Sequence, residues 1–595
     1  MPERARTLPQ VFRQQVQKYG ARAYLKDKRQ RVWHDHSWNA VADAAGRLRA
    51  GLLNLGIKPG DRVGILSDNS PQWVIVDQAV LGLGGVVVPL YTTANADETR
   101  YIIGDCGAKI VAANGAESVK RLQAIAPELP EMTGIIAIHY DAQPEPAANG
   151  APAVMTLESA SAETAAEIVE GSRDELATII YTSGTTGPPK GVMLSHGNIL
   201  TNCEDALAVL QLDQRDVILS FLPIAHSFER TAGYYAVTMA GGTIAYAEGL
   251  TQIASNLLEI EPTVLLVVPR LLEVIYARVM KTIQSSSPLR RALFNVAVGF
   301  GRQAAECRNR GKAVPPHVAL AMALFRNLVF SRIRAVFGSR LRYMISGSAP
   351  LPTDIYRLLA AAEVPIVEGY GLTEAAPIVS CNLLDGKAKI GTVGMPLPSV
   401  EVKTADDGEL LVQGPNVMKG YYKREQDTRE TIDPDGWLHT GDIATIDAEG
   451  YITITDRKKE IIVLSGGKNV SPANLETRLV TDPYIAQACV VGDRRKHLGA
   501  VIVPNFENLA EFLSQNALAG KPHDEAVSSP ELRRLFHDRL HGFNQTLSDV
   551  EAISTFTLVA HPFTQEAGEL TPTMKLRRRV VQEHYQEQIE AMYRD

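Results

Sequence analysis

Cysteine is scarce. Five occur in 595 residues (Cys106, Cys203, Cys307, Cys381 and Cys489), and no two have the spacing of a zinc or redox pair. An odd, scattered set gives no sign of a disulfide framework. It fits reduced thiols in a cytosolic protein, each a small buried hydrophobe. Surplus positive charge is also missing. Lys and Arg number 60 against 67 Asp and Glu, a net charge of -7. That argues against a general nucleic-acid binder and weakens attraction to an anionic membrane. No long apolar run is present. The opening MPERARTLPQ lacks the apolar core of a secretion signal. The uncharged stretch between Asp77 and Asp97 is broken by Gly82, Gly84, Gly85 and Pro89 and by the polar Thr92, Thr93 and Asn95. It reads as a buried helix and then a buried strand, not a membrane span. Residues 316–337 are apolar with Arg326, Arg332 and Arg334 interleaved, a pattern shared with basic interfacial helices. The reading preferred here is a partly exposed packing helix whose arginines face water. No lipidation signal occurs. The expectation is a cytoplasmic protein whose contact with a membrane is at most peripheral.

Familiar catalytic motifs are absent as well. No G-x-S-x-G elbow suggests a serine hydrolase. No repeat appears at solenoid periods. The stretch YTSGTTGPPKG, 181–191, carries glycines, hydroxyls and one lysine but almost nothing apolar. It cannot be a Walker A loop, which needs Gly directly before Lys and Ser or Thr after it; here Pro189 precedes Lys190 and Gly191 follows. Small residues let backbone N–H groups close on an anion. The stretch follows a buried strand at 176–180, and apolar residues recur at helical spacing after Ser195, so it is expected to join strand to helix.

Apolar strands alternate with helical segments along the chain. Among them are DRVGILSDN, GGVVVPLY, AKIVAAN, GIIAIHY, PTVLLVVP and LRYMISG. The pattern predicts an α/β protein: a large N-terminal domain of layered α/β sheets and a smaller, mobile C-terminal α/β domain. Residues 141–172, rich in Ala, Pro and Glu, read as a surface excursion. A hairpin is expected from 443–446 and 451–455, joined at Ala448-Glu449-Gly450. The charged run Asp456-Arg457-Lys458-Lys459-Glu460 follows, and it sets the expected boundary between domains 1–456 and 457–595. Ser471-Pro472 should open a helix by N-cap and N1 preference. Strands ACVVGD and GAVIVPN come next.

Further segments carry chemistry. Gly347-Ser348-Ala349-Pro350 ends a strand and leaves room for a flat ring. Glu368-Gly369-Tyr370-Gly371-Leu372-Thr373-Glu374 offers an aromatic platform, a hydroxyl and a carboxylate within one turn. A carboxylate beside phosphates repels them unless a divalent cation intervenes, so Glu374 is a candidate magnesium ligand. Asp442, in GWLHTGDI, is read as lying at the end of a loop, suited to accept from ribose hydroxyls. Far downstream, GELTPTMKLRR brings Lys575.

Together, YTSGTTGPPKGVMLSH, EGYGLTE, DGWLHTGDI, DRKKEIIVLSGGKNVSPANLE and LTPTMKLRR resemble the acyl-adenylate-forming (ANL) superfamily over nearly the whole chain. LPIAHSFER, 222–230, resembles its long-chain fatty acyl-CoA synthetases in particular. The resemblance implies activation of a fatty acid by MgATP to acyl-AMP, then thioester formation with coenzyme A. It further implies that Thr182, Ser183, Gly184, Thr185, Thr186, Gly187 and Lys190 hold the β- and γ-phosphates. Gly347, Ser348, Ala349, Glu368, Gly369, Tyr370 and Gly371 would frame the nucleotide. Thr373 would contact phosphate, Glu374 magnesium, and Asp442 with Arg457 the ribose. Lys575 would reach the carboxylate and α-phosphate, and His226 would lie near the acyl carboxylate. Lys459 would be the hinge, with Ser465, Gly466 and Gly467 facing the pantetheine channel. The chain departs from some members in placing Ser227-Phe228 after His226, where they have a tryptophan gate, and Val463 where they carry a lysine. Segment 506–550 lengthens the small domain with no site assigned to it. The implied partners are small molecules: fatty acid, ATP and coenzyme A. The alternatives are a fatty acyl-AMP ligase serving a carrier protein, a ligase for short or aromatic acids, and a non-catalytic nucleotide-binding module.

Overall fold

The computed structural model describes residues 5–139, 152–182, 188–309, 312–384, 388–458, 460–466, 468–571 and 575–594. Its large N-terminal part is built on two sheets. In the eight-stranded sheet, Arg62–Leu66 lies parallel between Val86–Leu90 and Ile110–Asn114. In the nine-stranded sheet, Val217–Ser220, Val264–Val267, Tyr343–Ser346 and Ile366–Gly371 form the parallel centre. Parallel strands need crossover helices, and helices on both faces bury both sets of side chains.

Period-two alternation sorts these side chains. Val63, Ile65 and Ala112 of one sheet, and Val264, Tyr343 and Ile345 of the other, face one shared core. That core also contains Trp38, Trp73, Leu200 and Tyr234 from helices lying between the sheets. Leu66, Val88 and Val111 point the other way, onto the helices Ala96–Cys106 and Gly115–Ile125. Leu265 and Met344 meet Leu272, Phe294 and Ile355 on the far side of the second sheet. The result is a stack of helix, sheet, helix, sheet and helix layers.

A polar cluster sits at the centre of the middle layer. Arg230 Nη2 lies 2.6 Å from Asp77 Oδ1, and their side chains are 1% and 0% exposed. Arg230 also donates to Thr178 Oγ1 at 2.7 Å, and the hydroxyls of Tyr234 and Tyr235 donate to Asp77 at 3.0 Å. The cluster fixes the helix Pro71–Gly82, the π-helix Glu229–Tyr235 and the strand Leu176–Thr182 to one another. A buried ion pair survives only if hydrogen bonds satisfy its remaining atoms, and here they do so on both sides.

A four-stranded antiparallel sheet follows, comprising Glu401–Thr404, Glu409–Gln413, Leu438–Ile446 and Ile452–Arg457. The smaller C-terminal part is a three-stranded sheet, Ile485–Val491, Leu498–Pro504 and Ile553–Leu558. One face is covered by Leu475, Leu509, Leu532 and Phe536 from helices, the other by Val581 and Ile589. Segment 506–550 contributes the helices Phe506–Gln515, His523–Val527 and Pro530–Asn544 to the first of these layers.

The structure corrects three local expectations and adds detail to a fourth. The 181–191 connection joins strand to strand, not strand to helix: Lys190–Ser195 pairs antiparallel with Leu176–Thr182, setting Thr182 opposite Lys190. The run Val192-Met193-Leu194 has the apolar character of a strand, and the helix His196–Leu210 starts only after it. Within 141–172, the strand Ala153–Thr156 adds an edge to the eight-stranded sheet. Ala160 is buried so close to Gly51 that a Cβ on that glycine would lie 1.8 Å from the Ala160 carbonyl oxygen. The described part still runs along the surface, with most side chains exposed or half-buried, but Val154 and Ala160 anchor it to the core. Asp442 lies within a strand rather than at a loop end, because the hairpin strand begins earlier, at Leu438. Finally, Pro472 does open a helix, but Ser471 makes no side-chain cap hydrogen bond.

Replacing Arg230 with Met leaves the Asp77 carboxylate buried without its cation. The expected loss is about 3–5 kcal/mol of stability. The double variant Asp77→Leu/Arg230→Met should lose less than Arg230→Met alone. Urea unfolding followed by tryptophan fluorescence reads both, since Trp73 packs 5.2 Å from the Arg230 guanidinium.

Candidate active site

A cavity of about 2270 Å³ is lined by both large sheets, the antiparallel sheet and the C-terminal part. Strand ends supply most of its wall. The strand Tyr343–Ser346 delivers Gly347, Ser348 and Ala349 to it. Ser348 adopts φ 71°, a left-handed conformation that is strained for a residue with a side chain. Phe228 packs on Gly347; a Cβ there would sit 3.2 Å from the Phe228 ring.

The neighbouring strand Ile366–Gly371 delivers Glu368, Gly369, Tyr370 and Gly371, followed by Thr373 and Glu374. Gly371 is required by space, since a Cβ would fall 2.1 Å from the Pro377 carbonyl oxygen. Burial raises the Glu368 carboxyl to about 7. Thr373 Oγ1 lies 3.0 Å from Ser227 Oγ, which ties this turn to the segment holding His226.

Asp442 and Arg457 face each other across the hairpin. Asp442 accepts from Arg457 Nε at 3.0 Å and from the Tyr370 hydroxyl at 2.5 Å. A carboxylate so held is oriented before any ligand arrives. Sequence spacing does not reveal that Tyr370 is bound at its hydroxyl end while its ring stays at the cavity wall.

Lys575 reaches the same cavity from the C-terminal part. Desolvation, and then the Arg457 guanidinium, hold its amine down to about 8. Among the described residues, none lies within ion-pair distance of it. His226 is held down to about 3, chiefly by burial and further by the Lys575 cation. Its Nδ1 accepts from the Phe228 backbone N–H at 3.2 Å, so the neutral ring carries its proton on Nε2. His226 is therefore a neutral hydrogen-bond donor, not a cation.

Lys190 lines the cavity but is engaged: it pairs with Asp427 and lies 5.1 Å from the Tyr421 ring centroid. Tyr421 also donates to Glu374 Oε1 at 2.9 Å. Glu409 accepts from Lys458 Nζ at 3.0 Å and from the Gly441 N–H at 2.8 Å. Tyr421, Asp427 and Glu409 escape sequence reasoning, because no local motif links them to Lys190, Glu374 or Asp442, and nothing in the motif around Ser227 reveals its contact with Thr373. Thr182 joins the wall, whereas Ser183, Gly184, Thr185, Thr186 and Gly187 lie outside the described residues. So do Lys459 and Gly467. Ser465 and Gly466 form an exposed turn away from this cavity, with the Ser465 N–H donating to the Arg495 carbonyl.

The cavity thus combines an open recess, an oriented carboxylate, a neutral histidine and an incoming lysine. Glu374 keeps one carboxylate oxygen without a described partner. Among the described residues no cluster of three or more His, Cys, Asp or Glu could hold a metal by itself. That donor set suits a hard divalent cation held mainly by ligand phosphates and by one protein carboxylate.

Comparison with known proteins agrees with this chemistry. Residues 12–422 match the AMP-binding enzyme family, and residues 459–595 its C-terminal domain. The long-chain-fatty-acid–CoA ligase FadD15 of Mycobacterium tuberculosis is 36% identical over 579 residues, covering 94% of this chain and 93% of the relative. Long-chain-fatty-acid–CoA ligase 6 of Homo sapiens is 32% identical over 623 residues, covering 99% of this chain and 87% of the relative. Among solved structures, the adenylation domain of a Mycobacterium chelonae carboxylate reductase superposes with a TM-score of 0.79 at 24% identity, covering 100% of this chain and 92% of that one. An anthranilate CoA ligase bound to anthranoyl-AMP gives 0.74 at 20% identity, covering 98% of each chain. With a family model spanning most of the large domain and relatives aligned over nearly the full length, this chain belongs to the AMP-binding enzyme family.

Proposed function

We propose that the protein activates a long-chain fatty acid with ATP to form acyl-AMP and pyrophosphate. It then transfers the acyl group to the thiol of coenzyme A, releasing AMP. The observation that carries this reading is the meeting of Lys575 with His226, Thr373 and the Asp442–Arg457 pair in one cavity. The acyl class and the acceptor rest on the relatives, which are long-chain-fatty-acid–CoA ligases.

The first step brings a carboxylate onto an α-phosphate, so like charges must be driven together. A preplaced cation lowers that barrier most where charge develops in the transition state. Lys575 is suited to this because its amine has no described partner to leave. His226 can donate through Nε2–H to the substrate carboxylate without adding a second full charge beside Lys575. Asp442 would hold the ribose hydroxyls while Arg457 keeps it oriented, and Gly347, Ser348, Ala349 and Tyr370 would frame adenine. Thr182, Lys190 and the 183–187 segment would hold the outer phosphates, Lys190 exchanging Asp427 for a stronger anion. A magnesium ion held by Glu374 would neutralise part of the triphosphate charge.

The second step needs other groups at the same carbonyl. Ser465, Gly466 and Gly467 are read as its pantetheine contacts, and the present exposed turn would reach the acyl group only after rotation. Domains 1–456 and 457–595 turning about Lys459 supply that motion on this reading. The long-chain acid itself partitions into bilayers, so the reading extends to a cytoplasmic enzyme that visits a membrane surface.

Mass-resolved products from ATP, magnesium and palmitate should show palmitoyl-AMP alone, then palmitoyl-CoA and AMP once coenzyme A is added. Adenylate that persists despite coenzyme A would refute the acceptor. Lys575→Ala should slow adenylation by about two to three powers of ten, with thioester formation from supplied palmitoyl-AMP much less affected. An equal loss in both half-reactions would remove Lys575 from its assigned role. The charged amine is present below its titration point and lost above it. Adenylation kcat/KM, which reports the free enzyme, should therefore decline as pH rises through about 8. Lys575→Arg should abolish that decline at whatever rate it retains.

A further inference from the structure

On the outer side of the nine-stranded sheet, the helix Pro288–Asn309 turns back into a second helical run, Pro316–Phe325, Arg326–Phe330 and Ser331–Ala335. Phe300 and Phe325 pack across the pair with ring centroids 6.1 Å apart. Both helices expose apolar stripes. Leu289, Leu293 and Val296 recur at i, i+4 and i+7, with Leu289 79% exposed. Leu320, Leu324 and Leu328 are 75%, 58% and 57% exposed, while Val318, Met322 and Phe325 of the same run are buried. The π turn at Arg326–Phe330 keeps the four-residue spacing in line. A soluble monomer seldom concentrates exposed leucines in this way without a partner.

Charge is concentrated here too. In 288–335 the sequence holds nine Lys or Arg and a single acidic residue, Glu306, although the whole chain is net -7. Glu363 neutralises part of this by pairing with Arg308, Arg326 and Arg334 at 2.7, 2.8 and 3.5 Å. No described carboxylate lies within ion-pair distance of Arg290, Arg291 or Arg332.

We propose that this helical hairpin is a docking surface for an anionic lipid bilayer, its leucines entering the interface and its arginines meeting the headgroups. Interleaved apolar and basic side chains match that environment at both depths. No described helix is long and apolar enough to cross a membrane, so the hairpin lies on the surface. A second copy of the chain is a poorer occupant. In a two-fold pair the same patch meets itself, bringing like-charged arginines together. A nucleic acid would satisfy the arginines but leave the leucines in water. The surface is also joined to the cavity. Gly301 packs against Ala361 of the helix Thr353–Ala361 so closely that a Cβ would lie 2.6 Å from the Ala361 carbonyl oxygen, and Thr353, Asp354 and Arg357 of that helix line the cavity. The proposal draws its purpose from the fatty-acid reading, but its chemistry stands without it.

The test is co-sedimentation of the full-length protein with phosphatidylcholine vesicles, with and without phosphatidylglycerol, in the absence of any substrate. Binding is expected only to the anionic vesicles. Arg290→Gln/Arg291→Gln/Arg332→Gln should weaken it about a hundredfold, at roughly fivefold per basic side chain. Leu320→Asp/Leu324→Asp/Leu328→Asp should abolish it. ATP–pyrophosphate exchange with a short soluble acid should be unchanged in both variants, which verifies their folding. No binding by the wild type, or binding that survives the leucine substitutions, overturns the proposal. So does a dimer in sedimentation velocity that dissociates in the leucine variant, with no vesicle binding. Vesicle binding without adenylate formation would overturn the enzymatic reading and leave the docking surface standing.

Discussion

The buried pair between Asp77 and Arg230 is the constraint on which the working parts depend. Arg230 lies four residues after His226 and opens onto Thr178, four residues before Thr182. One guanidinium thus ties together the strand leading to the 181–191 loop, the π-helix behind His226 and a helix from the first hundred residues. An apolar contact could pack the same volume. It could not fix direction as well, because a guanidinium donates in a planar fork and each of its three nitrogens has a partner of its own here. The layers supply the cohesion and this cluster supplies the alignment.

Alignment matters because the cavity works by placing charge. Two of its basic side chains are kept apart in kind: Lys575 retains a proton at neutral pH, while His226 does not. Arg457 has a part in both properties of the site. It orients Asp442 through a hydrogen bond, and its charge helps lower the Lys575 amine. The Tyr421 hydroxyl and Asp427 engage Glu374 and Lys190, so both side chains are already oriented.

Charge is placed on a larger scale as well. A chain that is acidic overall gathers basic residues on one helical hairpin and exposes leucines beside them. Net charge averages such a feature away, and the pattern of 316–337 alone is equally that of a packing helix. The burial of Val318 and Met322 beneath an exposed Leu320 and Leu324 separates the two faces.

The sequence by itself determined the α/β class, several central strands of the large sheets and the segments bearing Gly347, Tyr370, Thr373, Glu374, Asp442 and Lys575. These are local properties: apolar alternation marks strands buried on both faces, and short motifs mark strand ends that must stay small or polar. Tertiary structure decided the rest. It opposed Thr182 to Lys190 in a strand pair, set Asp442 against Arg457 and Tyr370, turned the alanine-rich 156–166 stretch into packing against Gly46 and Gly51, and gave Glu374 and Lys190 the partners Tyr421 and Asp427. The pairings among these that span tens to hundreds of residues leave no periodicity in the sequence, because they are chosen by which surfaces meet once the layers have stacked.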